Sequence, residues 1–437
     1  MTNWIVCKLD EICDIFTGNS INEKEKLEKY TNISMGYNYI GTKDVGFDQC
    51  IDYENGIKIP TNDLKFKIAP KGSVLLCIEG GSAGRKIGLT NQDVCFGNKL
   101  CAFVSKIDNR YIFYFLQTSD FRNIFSYNKN GLIGGVSVNK LKDIKIPLPP
   151  LAEQGRIVAK IEELFAGIDA GVENLKSVKN QIALYRQSVL KSAFNIKNAV
   201  IQKASEIGEV SLGRQRSPKN ISKFYPTKYI RAANISENGI DVSDILDMEF
   251  LPYEKEKYLL KQNDILLSEA SGSPNQVGKP AIWNNEIDDC CFQNTVIRHR
   301  LFSNHPKYVF WFYKYLYLSS FFAKLAGGVG INHIGSTKFS NIKIPIPSLD
   351  EQKRIVAEIE SRFERADALE MAVDRALNDA EKLKQAVLKK AFSGELVPQN
   401  PDDEPASVLL DRIRAARASE LPAKKGKRKK TEVDSQL

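Results

Sequence analysis

The chain contains a long internal repeat, and this duplication constrains its fold more than any other feature of the sequence. Residues 144–159 read IKIPLPPLAEQGRIVA, and residues 342–357 read IKIPIPSLDEQKRIVA. The same offset of 198 positions aligns residues 187–194 with residues 385–392. A match of this length at a constant offset indicates a tandem duplication whose unit is roughly two hundred residues long.

The segments in front of each repeated block resemble one another more loosely. Residues 95–98 (CFGN) resemble residues 291–294 (CFQN), and residues 72–76 (GSVLL) resemble residues 263–267 (NDILL). The offset drifts there because the intervening loops differ in length. Each copy therefore has a variable front region and a nearly invariant back region. This indicates that the back regions share one task, whereas the front regions perform different ones.

The back regions have the pattern of long helices. In each, apolar residues recur at heptad spacing over about five heptads, which is typical of coiled coils. We predict that the two helices pair with each other in antiparallel orientation. The alternative is that each packs separately on its own globular region. The predicted interface consists of Ile157, Ile161, Leu164, Ile168, Leu175, Val178, Ile182, Val189, Ile355, Ile359, Ala366, Leu369, Val373, Ala376, Ala380, Leu383 and Val387.

The front regions are predicted to be mixed α/β (α+β) domains in two tandem copies, with a pseudo-twofold internal repeat. A helix rich in aromatic residues is expected over Arg110–Tyr127 and again over Lys307–Leu325, and we assign these aromatic rings to the core. The predicted strands are Val74–Ile78, Leu100–Val104, Ile144–Ile146, Ile265–Leu267, Thr295–Arg300 and Ile342–Ile344. The predicted segments are residues 1–150 and 198–348 for the two front regions, residues 151–197 and 349–397 for the two helical regions, and residues 398–437 for a C-terminal tail.

Glycine-rich polar loops occupy corresponding places in both front regions, at residues 80–86, 131–140, 268–279 and 327–338. Glycine lets a backbone approach a phosphate, Arg and Lys can bind guanine edges, and Asn and Gln can bind adenine edges. The alternative is that such clusters simply mark turns. The candidate DNA-binding residues are Lys43, Arg85, Lys86, Asn98, Lys99, Asn139, Lys140, Arg214, Arg216, Arg231, Asn234, Ser271, Ser273, Asn275, Gln276, Lys279, Asn294, Asn332, His333 and Lys338.

The composition permits a nucleic-acid partner without demonstrating one. The net charge is +9, and an ordinary protein with a basic tail would account for this value equally well. The eight cysteines form no CxxC pair and only three histidines are present, so we expect reduced thiols, a cytoplasmic location and no metal site. We expect no signal peptide and no membrane helix.

The C-terminal tail begins with a turn-rich break at residues 398–408. Leu409, Leu410, Ile413 and Ala416 then suggest a short helix, and a basic end follows between Lys424 and Lys430. Such basic runs are usually solvated and disordered, although non-specific attraction to phosphate is a second possible role.

The repeated block IP-x-P-x-L-x-E-Q-x-R-I-V-A, followed by a helix that ends in QSVLKSAF or QAVLKKAFSGELVP, resembles the conserved regions of type I restriction–modification specificity subunits. The resemblance covers residues 4 to 397, and it makes the front regions target recognition domains. Residues 230–235 (IRAANI) look like a pattern common in such domains. The first front region departs from this pattern, with Gly41 and Thr42 where Arg231 and Ala232 stand.

This resemblance implies a function. Each target recognition domain would read one half of a bipartite DNA site in double-stranded DNA, and the coiled coil would set the spacer between the halves. Two methyltransferase (modification) subunits and two restriction (translocase/nuclease) subunits would bind the chain. S-adenosylmethionine, ATP and Mg would then be bound by those partners, and this chain would be a non-catalytic subunit of an adenine-N6 methyltransferase and restriction complex.

The sequence agrees with a non-catalytic role. Adenine methyltransferases carry Asn or Asp before Pro-Pro and an aromatic residue, whereas the single Pro-Pro of this chain, Pro149-Pro150, follows Leu148. The P-loop pattern of ATP-driven motors is also missing. We assign Glu153 and Glu351 to the first turns of the helices, where acids offset the helix dipole. Two alternatives are a coiled-coil protein–protein adaptor without DNA readout and a fused methyltransferase–specificity enzyme.

Overall fold

The computed structural model describes residues 4–31, 33–129, 134–197, 199–216, 224–327 and 332–420. The chain forms two compact units. Unit 1 comprises Met1–Glu173 with Leu377–Leu437, and unit 2 comprises Asn174–Ala376. Each unit therefore combines one front region with one half of each long helix.

Unit 1 is built around two four-stranded sheets. One has the strand order β2-β9-β6-β7 and is antiparallel throughout, and the other has the order β4-β3-β8-β5. The strands are β1 Ile5–Lys8, β2 Cys13–Thr17, β3 Tyr37–Ile40, β4 Lys58–Ile59, β5 Ile68–Ala69, β6 Val74–Cys77, β7 Ile87–Leu89, β8 Val94–Phe96, β9 Leu100–Ser105 and β10 Lys145–Leu148. The helices are α1 Leu9–Ile12, α2 Glu23–Glu25, α3 Asn109–Phe115, α4 Ser119–Tyr127, α5 Val138–Lys142 and the long helix α6 Leu151–Ala193, which continues into unit 2.

Unit 2 repeats this plan. Its main sheet has the order β12-β21-β17-β19, which corresponds strand by strand to the main sheet of unit 1. The strands are β11 Val200–Lys203, β12 Gly208–Leu212, β13 Pro226–Ile230, β14 Ile235–Ser236, β15 Gly239–Ile240, β16 Leu246–Glu249, β17 Ile265–Ser268, β18 Ala270–Ser271, β19 Pro280–Ile282, β20 Cys291–Phe292, β21 Val296–Leu301, β22 Asn332–His333 and β23 Lys343–Ile346. The helices are α7 Ala204–Ile207, α8 Pro252–Tyr258, α9 Pro306–Leu318, α10 Phe321–Leu325, α11 Ser336–Ser340 and the long helix α12 Leu349–Ser393; a last helix, α13 Ala406–Glu420, belongs to unit 1.

The duplicated mixed α/β architecture with two long helices is confirmed, but each aromatic-rich helix is divided in two. Residues 116–118 separate α3 from α4, and the Thr118 hydroxyl caps α4 by accepting a hydrogen bond from the Phe121 amide at 3.1 Å. In unit 2, Ser320 separates α9 from α10 with a left-handed backbone (φ of 58°). Most aromatic side chains of these helices are nevertheless buried or half-buried, including Tyr111, Phe121, Tyr308 and Tyr313, whereas Tyr127 at the end of α4 is 92% exposed.

The repeated proline-rich block connects the last strand of each front region to its long helix. The Gln154 amide donates to the Pro149 carbonyl at 3.0 Å, and its carbonyl accepts from the backbone of Asp108. Gln352 makes the same two bonds in unit 2, to Pro347 and from His305. The block is therefore nearly identical in the two copies because it fixes the direction in which each helix leaves its domain.

The near-identical ends of the helices pack on the front regions. In unit 1, the Phe392 ring at the end of α12 lies 4.9 Å from that of Tyr111 and 5.5 Å from that of Phe115. In unit 2, the Phe194 ring at the end of α6 lies 5.4 Å from that of Tyr308 and 5.2 Å from that of Phe312. Each front region thus completes its core with the helix end of the other repeat.

The two long helices are antiparallel in each unit. In unit 1, Lys384 of α12 forms an ion pair with Asp169 of α6. In unit 2, Lys179 pairs with Asp374 and Arg186 pairs with Asp367, so that residue numbers rise along one helix as they fall along the other. Ion pairs at the surface contribute little to stability. The order of these pairs along the helices nevertheless shows which residues of α6 lie opposite which residues of α12.

The predicted interface of each long helix consists of two seams, which are rows of residues seven positions apart. The structure corrects the seam of α12 that runs through Ile355, Arg362, Leu369, Ala376 and Leu383. Fifteen of the predicted interface residues are buried or half-buried, whereas Leu369 and Leu383 are 49% and 53% exposed. The seam runs one residue further along, so that Phe363 faces inward and Arg362 pairs with Glu358 on the surface. The prediction failed because this seam was placed by applying the repeat offset to the row Ile157, Leu164, Gly171, Val178 and Tyr185 of α6. In that row Tyr185 is likewise exposed, and the next residue, Arg186, is half-buried.

The structure describes the tail as far as residue 420. Helix α13 confirms the short helix predicted there, and it packs on unit 1 through Leu409, Leu410 and Ile413. Arg414 and Arg417 form ion pairs with Glu11 and Asp14. The basic end between residues 424 and 430 lies outside the described residues. Among the helices in the described ranges, none combines the length and the apolar character that crossing a membrane requires.

The corrected seam generates a test. Replacing Val373, which is buried between the helices, by Ala should lower the free energy of unfolding by about 2 kcal/mol, because apolar area is lost and a cavity is left. Replacing the larger but exposed Leu369 by Ala should change it by less than about 0.5 kcal/mol. Urea unfolding followed by far-ultraviolet circular dichroism measures both. A greater loss for Leu369→Ala would show that the seam expected from the heptad spacing is right.

Candidate nucleic-acid interface

In unit 1, a hairpin tip and a glycine-rich loop form one exposed basic surface. Val45 and Ile51 pair across the hairpin, and Phe47 at its tip is 62% exposed. The cationic groups of Arg85 and Lys86 lie 5.4 and 5.2 Å from the centre of the Phe47 ring. The arrangement places an aromatic face and two cations on the same surface, which suits contact with bases and phosphates.

A cleft with a volume of about 300 Å³ continues this surface. Lys43, Asn98 and Lys99 line it together with Lys26. The Lys86 ammonium donates to the carbonyl of Thr42, another lining residue, at 3.0 Å. Five of the predicted contact residues, which are far apart in the sequence, are thus brought together in unit 1. We define the unit 1 surface as these five residues and the exposed aromatic ring: Lys43, Phe47, Arg85, Lys86, Asn98 and Lys99.

Asn139 and Lys140 lie on α5, where both are exposed. The loop before this helix is attached to the end of β6, since the Val136 amide donates to the Ile78 carbonyl at 3.0 Å. Residues 131–133 of that predicted loop lie outside the described residues.

In unit 2, two glycine-rich loops meet in a short sheet. Strand β18 pairs with β22, so that Ser271 lies opposite Asn332. His333 Nδ1 is 3.2 Å from the carboxylate of Glu269, whose side chain is almost fully buried. The turn beside this sheet exposes three further predicted residues of the loop. We define the unit 2 surface as the six predicted residues of the sheet and the turn: Ser271, Ser273, Asn275, Gln276, Asn332 and His333.

The same backbone device positions the loop in both units. The Gly84 amide donates to the Cys77 carbonyl at 2.8 Å, and the Gly278 amide donates to the Ser268 carbonyl at 2.7 Å. Both glycines have a positive φ, and a Cβ atom would lie 2.8 Å from the Phe125 ring at Gly84. Only glycine satisfies both constraints, so the loops are built into the fold and are not merely surface turns.

The structure places two predicted contact residues inside the protein. Asn234 is buried, and its amide donates to the carbonyls of Asp241 and Asp244 at 2.9 and 3.0 Å. Arg214 forms an ion pair with Glu254 at 2.9 Å and lies over the Phe250 ring. Contrary to the expectation that they face DNA, both hold loops of unit 2 in place, because their polar groups have partners within the protein.

Arg231 and Lys279 are intermediate cases. Arg231 pairs with Asp244, and its side chain is mostly buried. Lys279 and Lys314 lie 3.8 and 2.7 Å from the Glu237 carboxylate. Burial acts against ionisation of Glu237, but the hydrogen bond and charge of Lys314, together with Lys279, keep its pKa below the ordinary value. Glu237 therefore carries a negative charge that partly cancels these cations.

The remaining candidates are more peripheral. Arg216 is exposed at the end of a described segment, and Asn294 lies half-buried in the turn before β21. Lys338 donates to the carbonyl of Leu325 at 3.1 Å. The sequence analysis missed Phe47, because an aromatic residue in an isolated polar segment gives no periodic signal. Lys26, which lines the cleft, was not among the candidates either. Within the described part of the chain, no cluster of three or more His, Cys, Asp or Glu residues could hold a metal ion.

Comparison with known proteins identifies the family. The model of the type I restriction modification DNA specificity domain matches residues 1–180 and again residues 197–378. The chain belongs to this family. The two matches coincide with the two repeats, so each repeat is one copy of the domain.

The chain is similar over most of its length to several specificity subunits. The chain is 26% identical to the type I restriction enzyme EcoKI specificity subunit of Escherichia coli (strain K12), covering 98% of both chains. It is 28% identical to the StySPI specificity subunit of Salmonella potsdam, covering 87% of this chain and 90% of that one. Among solved structures, a chain from a type I R-M system has a TM-score of 0.71 at 18% identity, covering 90% of this chain and 98% of that one. The HsdS subunit of Thermoanaerobacter tengcongensis has a TM-score of 0.52 at 20% identity, covering 90% and 97%.

The contrast between buried and exposed amides gives a test. Asn234→Ala should lower the free energy of unfolding by about 1–3 kcal/mol, because the backbone groups that bind its side chain lose their partner. Asn275→Ala, on the exposed turn of the same unit, should leave it within about 0.5 kcal/mol of the parent value. Urea titration of both variants measures the difference. Equal stability of the two variants would place Asn234 among the accessible contact residues.

Proposed function

We propose that this chain is the DNA-reading subunit of a type I restriction–modification complex, in which each target recognition domain reads one half of a bipartite site. The observation that carries the proposal is the same in both units. Loops that are far apart in the sequence meet beside the main sheet and expose cations, amides and hydroxyls. Such side chains contact phosphates and base edges of duplex DNA.

The two surfaces differ in chemistry, which supports different half-sites. The unit 1 surface is dominated by Lys and Arg with an exposed Phe. The unit 2 surface presents Ser, Asn, Gln and His. Arg and Lys pair with guanine edges, Asn and Gln with adenine edges, and apolar groups with the thymine methyl group. Two unlike surfaces on one duplicated chain are suited to an asymmetric site.

The long helices are proposed to set the spacer between the half-sites. Helix α6 has 43 residues and α12 has 45. At 1.5 Å per residue, each spans roughly 65 Å, which exceeds the ~34 Å of one turn of duplex DNA. The helices run antiparallel within each unit, which supports a spacer made of two paired helices and not of two independent ones.

The catalytic steps are assigned to partner subunits. We propose that two methyltransferase subunits supply S-adenosylmethionine chemistry and that two translocase–nuclease subunits supply ATP- and Mg-dependent steps. In this chain, the Pro-Pro pair has another role, since the Pro149 carbonyl accepts the hydrogen bond from Gln154 that orients α6. The names of the relatives, which describe specificity subunits of restriction enzymes, support this assignment.

Exchange of one front region tests the bipartite readout. Residues 4–148 would be replaced by the corresponding segment of the Salmonella potsdam relative, and methylated adenines would be mapped in cells that also express the methyltransferase subunit. We expect one half of the methylated motif to change while the other half and the spacer are retained. The reciprocal exchange of residues 200–346 should change only the opposite half. If either exchange changed both halves of the motif, the proposal that each front region reads one half would be wrong.

Substitutions in the unit 1 surface test DNA binding directly. In the complex with the methyltransferase subunit, Lys43→Ala with Arg85→Ala should weaken binding to duplex DNA. For every phosphate that is no longer neutralised, the salt dependence of the binding constant should also fall by about one unit of slope. Lys382→Ala is the matched control, because this exposed lysine lies on α12 away from the loops. Gel retardation at several salt concentrations provides the measurement. Unchanged affinity of the double variant would favour an adaptor that does not read DNA in this region.

A further inference from the structure

A groove in unit 2 is open at a place where, in unit 1, a later segment of the chain packs on the core and binds the equivalent arginine. The open groove lies between residues 189–197, at the end of α6, and residues 351–362, at the start of α12, and its volume is about 330 Å³. Its floor is apolar, formed by Val189, Ala193, Ile355 and Ile359. We call it the unit 2 groove.

Its rim is charged. Arg354 and Arg362 lie along one side with Glu351 and Glu358, and Lys197 lies near the end. Arg354 forms its ion pair with Glu351 of its own helix at 2.6 Å, and its side chain is 68% exposed. Such a guanidinium remains available to an incoming carboxylate, which it could bind in place of Glu351.

In unit 1, the chain itself covers part of the corresponding region. The offset of the repeat relates Ile355 and Ile359 to Ile157 and Ile161, and relates Val189 to Val387. Leu396 and Val397, which follow α12, pack against the core that contains these three residues. The segment is irregular, with bends at Leu396 and Val397 and a turn at residues 401–402, and it carries Pro398 and Pro401, which disfavour a helix.

An ion pair anchors the far end of this segment. Asp403 Oδ2 lies 2.6 Å from the Arg156 guanidinium, and the Asp403 side chain is only 7% exposed. Arg156 is the counterpart of Arg354 at the repeat offset. Its side chain is 38% exposed, against 68% for Arg354, because the segment covers it. Unit 1 therefore shows which chemistry this type of groove accepts: two adjacent aliphatic side chains followed, six residues later, by a carboxylate.

We propose that the unit 2 groove binds a non-helical segment of a partner protein that has this same chemistry, with aliphatic side chains on the floor and a carboxylate on Arg354. A second copy of this chain is a poorer occupant, because its own segment from Leu396 to Asp403 is already held in its unit 1 by packing and by the Arg156 pair. The inference concerns protein docking and does not depend on DNA readout.

A peptide with the sequence of residues 394–405 (GELVPQNPDDEP) is the probe, since it carries the chemistry that fills unit 1. Fluorescence anisotropy with the full-length chain should show saturable binding at one site. Arg354→Glu should weaken binding about tenfold or more, because it replaces the attraction by repulsion of like charges. A peptide in which Asp403 is replaced by Lys should weaken it similarly. Arg365→Glu is the matched control, an exposed arginine on the same helix outside the groove, and should leave binding unchanged.

Three results would overturn the proposal. They are the lack of saturable binding, equal binding by the Arg354→Glu chain, or binding that Arg156→Glu alone abolishes, which would mean that the peptide enters unit 1. Sedimentation of the chain without peptide tests the occupant: dimers that Arg354→Glu dissociates would show that a second copy fills the groove and that the partner assignment is wrong. Circular dichroism and DNA retardation on the same preparations separate a failure of the groove from a failure of folding or of the proposed function.

Discussion

The fold depends on the packing of each front region against the end of the other repeat's helix. Phe392 enters the aromatic core of unit 1 and Phe194 enters that of unit 2, at ring distances of 4.9 Å and 5.2 Å. Buried aromatic contacts of this kind contribute far more than the exposed ion pairs along the helices. Because each helix begins at its own front region and ends in the core of the other, the two helices can satisfy both contacts only when they run in opposite directions. The near-identity of the back regions follows from this requirement.

Because each front region packs against the helix end of the other repeat, some features of the fold could be predicted from the sequence and others could not. The structure agrees with the local patterns of the sequence, each of which indicates how its residues pack. These patterns are the repeat, the helix ends QSVLKSAF and QAVLKKAF, the proline-rich block and most of the aromatic core residues. The second helical seam was misplaced by one residue because an apolar stripe indicates a partner but not its register. Phe363 could be placed only once its neighbours were known, since it packs on Trp311 at 4.7 Å while Arg186 lies over its ring. The aromatic-rich helices were predicted as continuous for a similar reason, since the cap formed by Thr118 is a single hydrogen bond within an otherwise helical pattern.

The candidate site was less predictable than the fold. Loop composition indicated where polar side chains would gather, and Gly84 and Gly278 hold those loops at equivalent positions. Composition could not indicate which side chains face inward. Asn234 and Arg231 belong to the segment that most resembles target recognition domains, yet their polar groups are bound within the protein. A segment that resembles a family pattern can therefore contain residues that shape a loop from within the protein, whereas exposed side chains beside the loops carry no such pattern. Phe47, whose surroundings in the sequence are polar, is an exposed side chain of this second kind.

A tandem duplication makes two similar units, but the connectivity of the chain breaks the equivalence. The first repeat is followed directly by the second, so only a short connection links Phe194 to β11. The second repeat is followed by a segment that is long enough to fold back on unit 1, place Asp403 against Arg156 and continue into α13, where Arg414 and Arg417 bind the acids around α1. Unit 2 cannot form its own version of the Arg156–Asp403 pair in this way, because the residues that would supply the carboxylate are instead the start of the second front region. The difference between the two grooves is thus a consequence of connectivity, and it leaves unit 2 with a groove that another protein can enter.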